Sequence, residues 1–148
     1  MDAIILAGGF GTRLKHLFPD LPKPLVPICG FSFLEIFLSQ LNQQKIFSRV
    51  ILSLHYQAEK IQETLQNKKF DFEIVYCIEP KALGTGGAIL LSLKEAKSSS
   101  VFVFNGDSYI KLSLKEMLDF HNQKNADLTI AYREDPRRDR YGSLEVEN

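Results

Sequence analysis

Ala3-Ile4-Ile5-Leu6-Ala7-Gly8-Gly9-Phe10-Gly11-Thr12-Arg13-Leu14 opens as an unbroken apolar run and then breaks into three glycines within four positions. An apolar run that does not alternate with polar residues marks a strand covered on both faces, as in the middle of a parallel sheet. Similar runs recur at Val50-Ile51-Leu52-Ser53-Leu54, Glu73-Ile74-Val75-Tyr76-Cys77 and Val101-Phe102-Val103-Phe104. Between them, apolar residues fall at helical spacing: Phe33, Leu34, Phe37, Leu38 and Leu41; Ala58, Ile61 and Leu65; then Leu114, Met117, Leu118 and His121. Ser113 and Glu116 stand at capping-box spacing before the last of these, and Glu35 reads as a helix-face charge. Strands alternating with helices predict an α/β fold with a mostly parallel central sheet.

The chain has 148 residues, 45% hydrophobic and 24% charged, the size and composition of one globular domain. Eighteen basic and eighteen acidic residues cancel to a formal net charge of zero, which argues against nucleic acid or an anionic membrane as a partner held by bulk electrostatics. The two cysteines, Cys29 and Cys77, match no metal-ligand spacing and read as small buried or half-buried thiols of a reducing compartment. The first apolar run is too short, and wrongly flanked, for a signal peptide or a membrane span, so a cytoplasmic location is expected.

Towards the carboxyl end, residues 128–132 read as a strand, residues 134–140 as a charged loop, and residues 142–147 alternate like a strand with one wet face. A strand beginning at the last residues lies at a sheet edge, or the chain is a fragment.

Four elements carry chemistry. Gly8, Gly9 and Gly11 strip side chains from the loop that leaves the first strand, so its amide N–H groups can turn toward an anion such as a di- or triphosphate. The loop lacks the Gly-Lys-Ser/Thr ending of a P-loop, and Leu14 replaces the third glycine of the dinucleotide fingerprint. Lys23 is braced by Pro22 and Pro24, which are expected to hold it on a stiff extended segment where it suits charge neutralisation on a phosphate. Glu79-Pro80-Lys81-Ala82-Leu83-Gly84-Thr85-Gly86-Gly87-Ala88 follows a strand and opens a helix that Thr85 could cap. Asn105-Gly106-Asp107 ends the fourth run and puts a carboxylate at the carboxyl end of a central strand, where a single Asp can share magnesium with phosphate oxygens.

Taken in order, Leu6-Ala7-Gly8-Gly9-Phe10-Gly11-Thr12-Arg13-Leu14, Pro22-Lys23-Pro24-Leu25, Glu79-Pro80 with Leu83 to Ala88, Asn105-Gly106-Asp107, and Arg140-Tyr141-Gly142 with Glu145-Val146 resemble the sugar-phosphate nucleotidyltransferases. The resemblance implies a Rossmann-like three-layer α/β/α nucleotidyltransferase fold, with residues 1–110 as the nucleotide-binding part and residues 111–148 as the start of a sugar-binding part left incomplete. It implies transfer of a nucleoside monophosphate from a nucleoside triphosphate to a sugar 1-phosphate, with pyrophosphate released. Leu6, Ala7 and the amides of Gly8, Gly9, Gly11 and Thr12 would line the triphosphate. Arg13 would hold the departing phosphates, Lys23 the α-phosphate, and Asp107 a magnesium ion. Glu79, Gly84 and Thr85 would lie at the base and its ribose; Asn105, Tyr141 and Gly142 at the sugar.

The Glu-Pro and Leu-Gly-Thr pattern leans toward the heptose 1-phosphate and mannose 1-phosphate guanylyltransferases, hence toward GTP and surface polysaccharide synthesis. Uridylyl-, thymidylyl- and cytidylyltransferases share the frame. Relatives carry a second aspartate and a further lysine beyond the Tyr-Gly strand, so weak metal binding and poor turnover are expected of these residues alone, and a non-catalytic nucleotide-binding homologue is the alternative. Oligomeric state is open, a homo-oligomer being allowed. His16, His55 and His121 have no partner spacing for a metal or nucleophilic site and read as structural or surface residues. The arginines at 133, 137, 138 and 140 are diluted by acids and read as a solvated loop, with a flap over the sugar phosphate as the rival.

Overall fold

In the computed structural model, which describes residues 1–132, the strands are β1 (Asp2–Leu6), β2 (Pro27–Ile28), β3 (Phe31–Ser32), β4 (Arg49–Leu54), β5 (Glu73–Ile78) and β6 (Val101–Asn105). The helices are α1 (Phe33–Gln44), α2 (Ala58–Leu65), α3 (Gly84–Ser92) and α4 (Leu114–Lys124). The four apolar runs are the four strands of one sheet, ordered β5-β4-β1-β6 and parallel throughout. Ile4 stands opposite Ile51 on one side and Val103 on the other, and Ile51 opposite Val75.

Because successive side chains on a strand point to opposite faces, this register sorts the core into two layers. Ile4, Ile51, Cys77 and Val75 pack with Leu91 of α3 on one face. On the other, Phe104 meets the ring of Phe37 from α1 at 5.4 Å, and Phe102 meets Phe47 at 5.6 Å. Helices therefore cover both faces, which is why Ala3, Ile4 and Ile5 are fully buried and why the strand reads as a continuous apolar run. Each such isoleucine contributes about 1.5–3 kcal/mol relative to an exposed position.

The chain divides into two units, Met1–Leu112 and Ser113–Asn148. In the second unit, Ser113 Oγ accepts from the Glu116 amide at 3.3 Å, without the return bond of a full capping box. The full box forms at α1, where Ser32 and Glu35 cap each other, so Glu35 is a capping residue as well as the partner of Lys68. Among the described residues, 128–132 pair with no strand, and Leu128 and Ile130 are exposed. A β-prone run is a strand only where a ladder partner receives its N–H and C=O groups.

Two further expectations are corrected. Cys29 is exposed, because it forms the tight turn between β2 and β3 with a left-handed φ of 51°, whereas Cys77 is buried in the sheet. Lys23 lies in a single 3-10 turn over Lys23–Leu25 and not in an extended segment; Pro22 alone is extended before it. The expected strand over residues 142–147 and the loop over residues 134–140 lie outside the described residues. No described helix is long and apolar enough to cross a membrane.

Asp2 is buried at the start of β1, and its carboxylate accepts the backbone amides of Lys97 and Ser98. Burial pushes its pKa up, but the two amide donors and the nearby Arg49 charge outweigh that and hold it below the usual carboxylate range. A depressed folded-state pKa gives stability that is present above the ordinary carboxyl value and lost as pH falls through the folded value. Asp2→Asn should therefore lower stability at neutral pH by about 1–3 kcal/mol and flatten the loss below about pH 4. Urea unfolding at a series of pH values checks both; an unchanged acid slope would contradict the assignment.

Candidate functional site

The chain builds β1, β4 and β5 outward in one direction, then returns to lay β6 on the opposite side of β1. At such a reversal the loops leaving two neighbouring strands diverge, and the crevice at their carboxyl ends is where open α/β sheets bind ligands. Here the diverging loops are the glycine loop after β1 and Asn105-Gly106-Asp107 at the end of β6. A cavity of about 640 Å³ opens there.

Leu6, Ala7, Gly8, Gly9, Gly11, Thr12, Arg13, Lys23, Glu79, Gly84, Thr85, Asn105 and Asp107 all line it, although the sequence spreads them over a hundred positions. Tyr141 and Gly142 lie outside the described residues. Phe10, Leu14, Pro24, Ala82, Ala88 and Gly106 also line the cavity; they stand inside the quoted motifs, which gave them no separate role. A larger groove of about 800 Å³ lies beside α2 and β5, but its lining mixes Glu59, Glu63, Lys68 and Lys69 with Phe70 and Phe72, and no glycine loop reaches it.

The loop earns its glycines locally. Gly11 has a φ of 59°, and a Cβ there would come within 2.9 Å of the Lys23 Cβ. Its carbonyl accepts from Leu14, closing the 3-10 turn Thr12–Leu14 that carries Arg13. Among the described residues the amides of Gly8, Gly9, Phe10 and Gly11 donate to nothing, so four N–H groups are available to an anion. The amino end of α3 adds Gly84 and Thr85, with the partial positive charge of a helix start. Thr85 is the second residue of that helix and does not cap it; Leu83 stands at the cap position with no side-chain bond.

Lys23 Nζ donates to Asp107 Oδ2 in an ion pair with both side chains partly exposed, and Ser108 Oγ donates to Asp107 Oδ1 at 3.0 Å. Partial burial pushes the Asp107 carboxyl up, yet hydrogen bonds from Lys23 and Ser108 and the charges of Lys23 and Arg13 hold it below the ordinary range. Glu79 is buried: one oxygen accepts from Ser53 Oγ at 3.1 Å and the other from the Leu83 amide at 3.0 Å. Two cations and two carboxylates thus meet in the cavity and cancel formally. A triphosphate entering a site with no net charge needs a companion cation. Among the described residues no three His, Cys, Asp or Glu side chains cluster. The donor set fits magnesium only as a shared site, with Asp107 as one ligand and phosphate oxygens supplying others, which is the usual manner of that ion.

The profile of the family described as nucleotidyl transferase matches residues 2–148. The chain belongs to this nucleotidyl transferase family. A D-glycero-alpha-D-manno-heptose 1-phosphate guanylyltransferase of Aneurinibacillus thermoaerophilus is 39% identical over 144 residues, covering 97% of this chain and 62% of that protein. The enzyme of the same name from Campylobacter jejuni is 38% identical over 147 residues, covering 99% of this chain and 64% of its own length. The chain therefore spans less than two thirds of these curated relatives.

Among solved structures, HddC from Yersinia pseudotuberculosis complexed with GMP-PN superposes with a TM-score of 0.74 at 40% identity, covering 81% of this chain and 53% of that one. The inositol-1-phosphate CTP transferase of T. maritima, at 23% identity and a TM-score of 0.57, shares the fold. The nucleotidyltransferase membership and the mostly parallel α/β sheet agree with the resemblance carried by the motifs.

Proposed function

We propose that this chain binds GTP at the β1–β6 crevice and takes part in guanylyl transfer to a sugar 1-phosphate, heptose or mannose 1-phosphate being favoured. The observation that carries this reading is the convergence of free glycine-loop amides, Arg13, Lys23 and Asp107 on one cavity. The names of the heptose 1-phosphate guanylyltransferases to which the chain is similar support the guanine and the sugar phosphate. Such a role belongs to cytoplasmic nucleotide-sugar synthesis that supplies surface polysaccharide.

An oxygen of the sugar 1-phosphate attacks the α-phosphorus, that new P–O bond forms, and the bond to the bridging oxygen breaks with its electron pair leaving on pyrophosphate. Catalysis of this kind is positioning and charge stabilisation. The glycine-loop amides hold the triphosphate in line. Arg13, on its 3-10 turn, offers a planar donor fork to the phosphates that depart. Lys23 neutralises charge gathering around the α-phosphate. Magnesium, when bound, supplies charge neutralisation of the phosphate oxygens, and Asp107 is the residue that would hold it.

Glu79 keeps a further lone pair on each oxygen beyond its bonds to Ser53 and Leu83, enough to accept the adjacent N–H donors of guanine. Gly84 and Thr85 border the base and ribose, and Asn105 borders the sugar. A nucleotide-binding homologue without turnover is the second reading, favoured by the lack, among the described residues, of any group of three His, Cys, Asp or Glu side chains that would hold a metal.

Equilibrium titration with GTP, UTP, CTP and dTTP in magnesium tests the base assignment. GTP should bind at least about tenfold tighter, one charge-assisted hydrogen-bond pair being worth roughly 1.5–3 kcal/mol. Equal affinities would contradict a role for Glu79 in base choice.

A further inference from the structure

Phe10 is the one residue with a side chain between Gly8 and Gly11, and it stands 46% exposed where it lines the cavity. An exposed phenylalanine in a phosphate-facing loop calls for a physical reason, and its contacts give one. Its ring meets His55 at a centroid distance of 5.6 Å and 90°, and Tyr56 at 5.5 Å. Lys15 Nζ lies 4.9 Å from the centroid of the same Tyr56 ring. His55 Nδ1 lies 3.0 Å from the carbonyl oxygen of Glu79; a carbonyl only accepts, so Nδ1 carries the proton and donates.

Gly8 seats against this assembly so closely that a Cβ there would come within 2.9 Å of Glu79 Oε1, 3.1 Å of the His55 backbone nitrogen and 3.2 Å of the His55 Cβ. A continuous line of contact thus runs from the glycine loop through Phe10 and His55 to the turn that begins at Glu79.

We infer that Phe10 and His55 are positioning residues that brace the glycine loop against the Glu79 turn and so hold its amides ready for a triphosphate. This rests on the functional reading above and names what organises its phosphate site. Glycines lose more freedom on ordering than any other residue, so a loop of three needs an external anchor if its amides are to be preset. Neighbouring aromatic rings supply that anchor through edge-to-face and tilted contacts. Phe10 acts on the loop, whereas His55 also donates to the carbonyl of Glu79, the residue read as choosing the base. Removing the Phe10 ring should therefore weaken a triphosphate with a base and one without it by the same factor.

The test is calorimetric binding of GTP and of inorganic tripolyphosphate, in magnesium, to the wild-type chain, Phe10→Ala, Phe10→Tyr, His55→Asn and the Phe10→Ala/His55→Asn double variant. All are compared at a temperature where thermal unfolding shows them folded. His55→Asn keeps a donor for the Glu79 carbonyl but removes the ring that meets Phe10. Phe10→Ala should weaken both ligands about five- to twentyfold, by equal factors, the size expected from losing one or two aromatic pairs. His55→Asn should weaken both, the double variant should bind no worse than the weaker single one, and Phe10→Tyr should stay within about twofold of wild type.

Unchanged affinity in Phe10→Ala, a loss confined to GTP, or additive losses in the double variant would each overturn the brace while leaving the site intact. A wild-type chain that binds neither ligand would overturn the functional reading itself, and the brace with it.

Discussion

Lys23→Ala is expected to slow pyrophosphate release roughly a hundred- to a thousandfold, with little change in the affinity for GTP. A preorganised charge aimed at a reacting phosphate is worth about 3–4 kcal/mol in the transition state and much less before it. The side chain is held for that task from below: Gly11 packs on its Cβ, and a 3-10 turn closed by the Leu25 and Val26 amides fixes its backbone. The fold should survive, because the ion pair with Asp107 leaves both side chains about a third or more exposed. Such a pair contributes at most about 1 kcal/mol after solvent screening. Lys23→Arg should not restore the rate, since a bulkier planar head must occupy a space shaped around a single ammonium. The measurement is kcat against KM for the triphosphate, with a melting temperature beside it. Near-normal turnover in a folded Lys23→Ala chain would remove Lys23 from the mechanism.

Arg13→Ala should lose turnover to a comparable degree, roughly a hundredfold or more, and lose triphosphate affinity as well. The two substitutions differ because Arg13 is expected to grip the β- and γ-phosphates in the ground state and the transition state alike, whereas Lys23 acts where charge develops. Arg13 is exposed and takes no part in the hydrophobic core, so stability should change by less than about 0.5 kcal/mol. Binding of GMP, which lacks those phosphates, should be unaffected. A parallel loss of GMP and GTP affinity in Arg13→Ala would show that the residue acts on something other than the departing phosphates.

The sheet was legible in the sequence for a physical reason. Its two central strands, β1 and β4, are buried on both faces, so they stand out as continuous apolar runs that need no knowledge of their partners. The helices were legible because each buries one stripe, as Phe37, Leu38 and Leu41 do in α1. What misled was structure whose cause lies elsewhere in the chain. Residues 128–132 have strand composition but no described ladder partner. The hairpin of β2 and β3 has two residues per strand, too few to show a period. Thr85 has a capping residue's chemistry two positions past the cap, and Ser32 with Glu35 formed the box that spacing alone assigned to Ser113 and Glu116.

The site divides in the same way. Gly11, Lys23 and Asp107 announce themselves by residue type in a short context. That Lys23 and Asp107 form one ion pair is a consequence of β6 returning beside β1, 84 positions on. Phe10 stands in the glycine-loop motif without a role of its own, and His55 reads as a structural or surface residue, because their meaning lies in each other, 45 positions apart.

The most direct test of the central claim is a pyrophosphate-release screen of GTP, UTP, CTP and dTTP against heptose 1-phosphate, mannose 1-phosphate and glucose 1-phosphate. It is to be run on this chain and on any longer polypeptide that its gene encodes. Magnesium-dependent release that requires GTP together with heptose or mannose 1-phosphate, and that Asp107→Asn removes, is the predicted result. Triphosphate binding without release under any pairing, in both polypeptides, would contradict it.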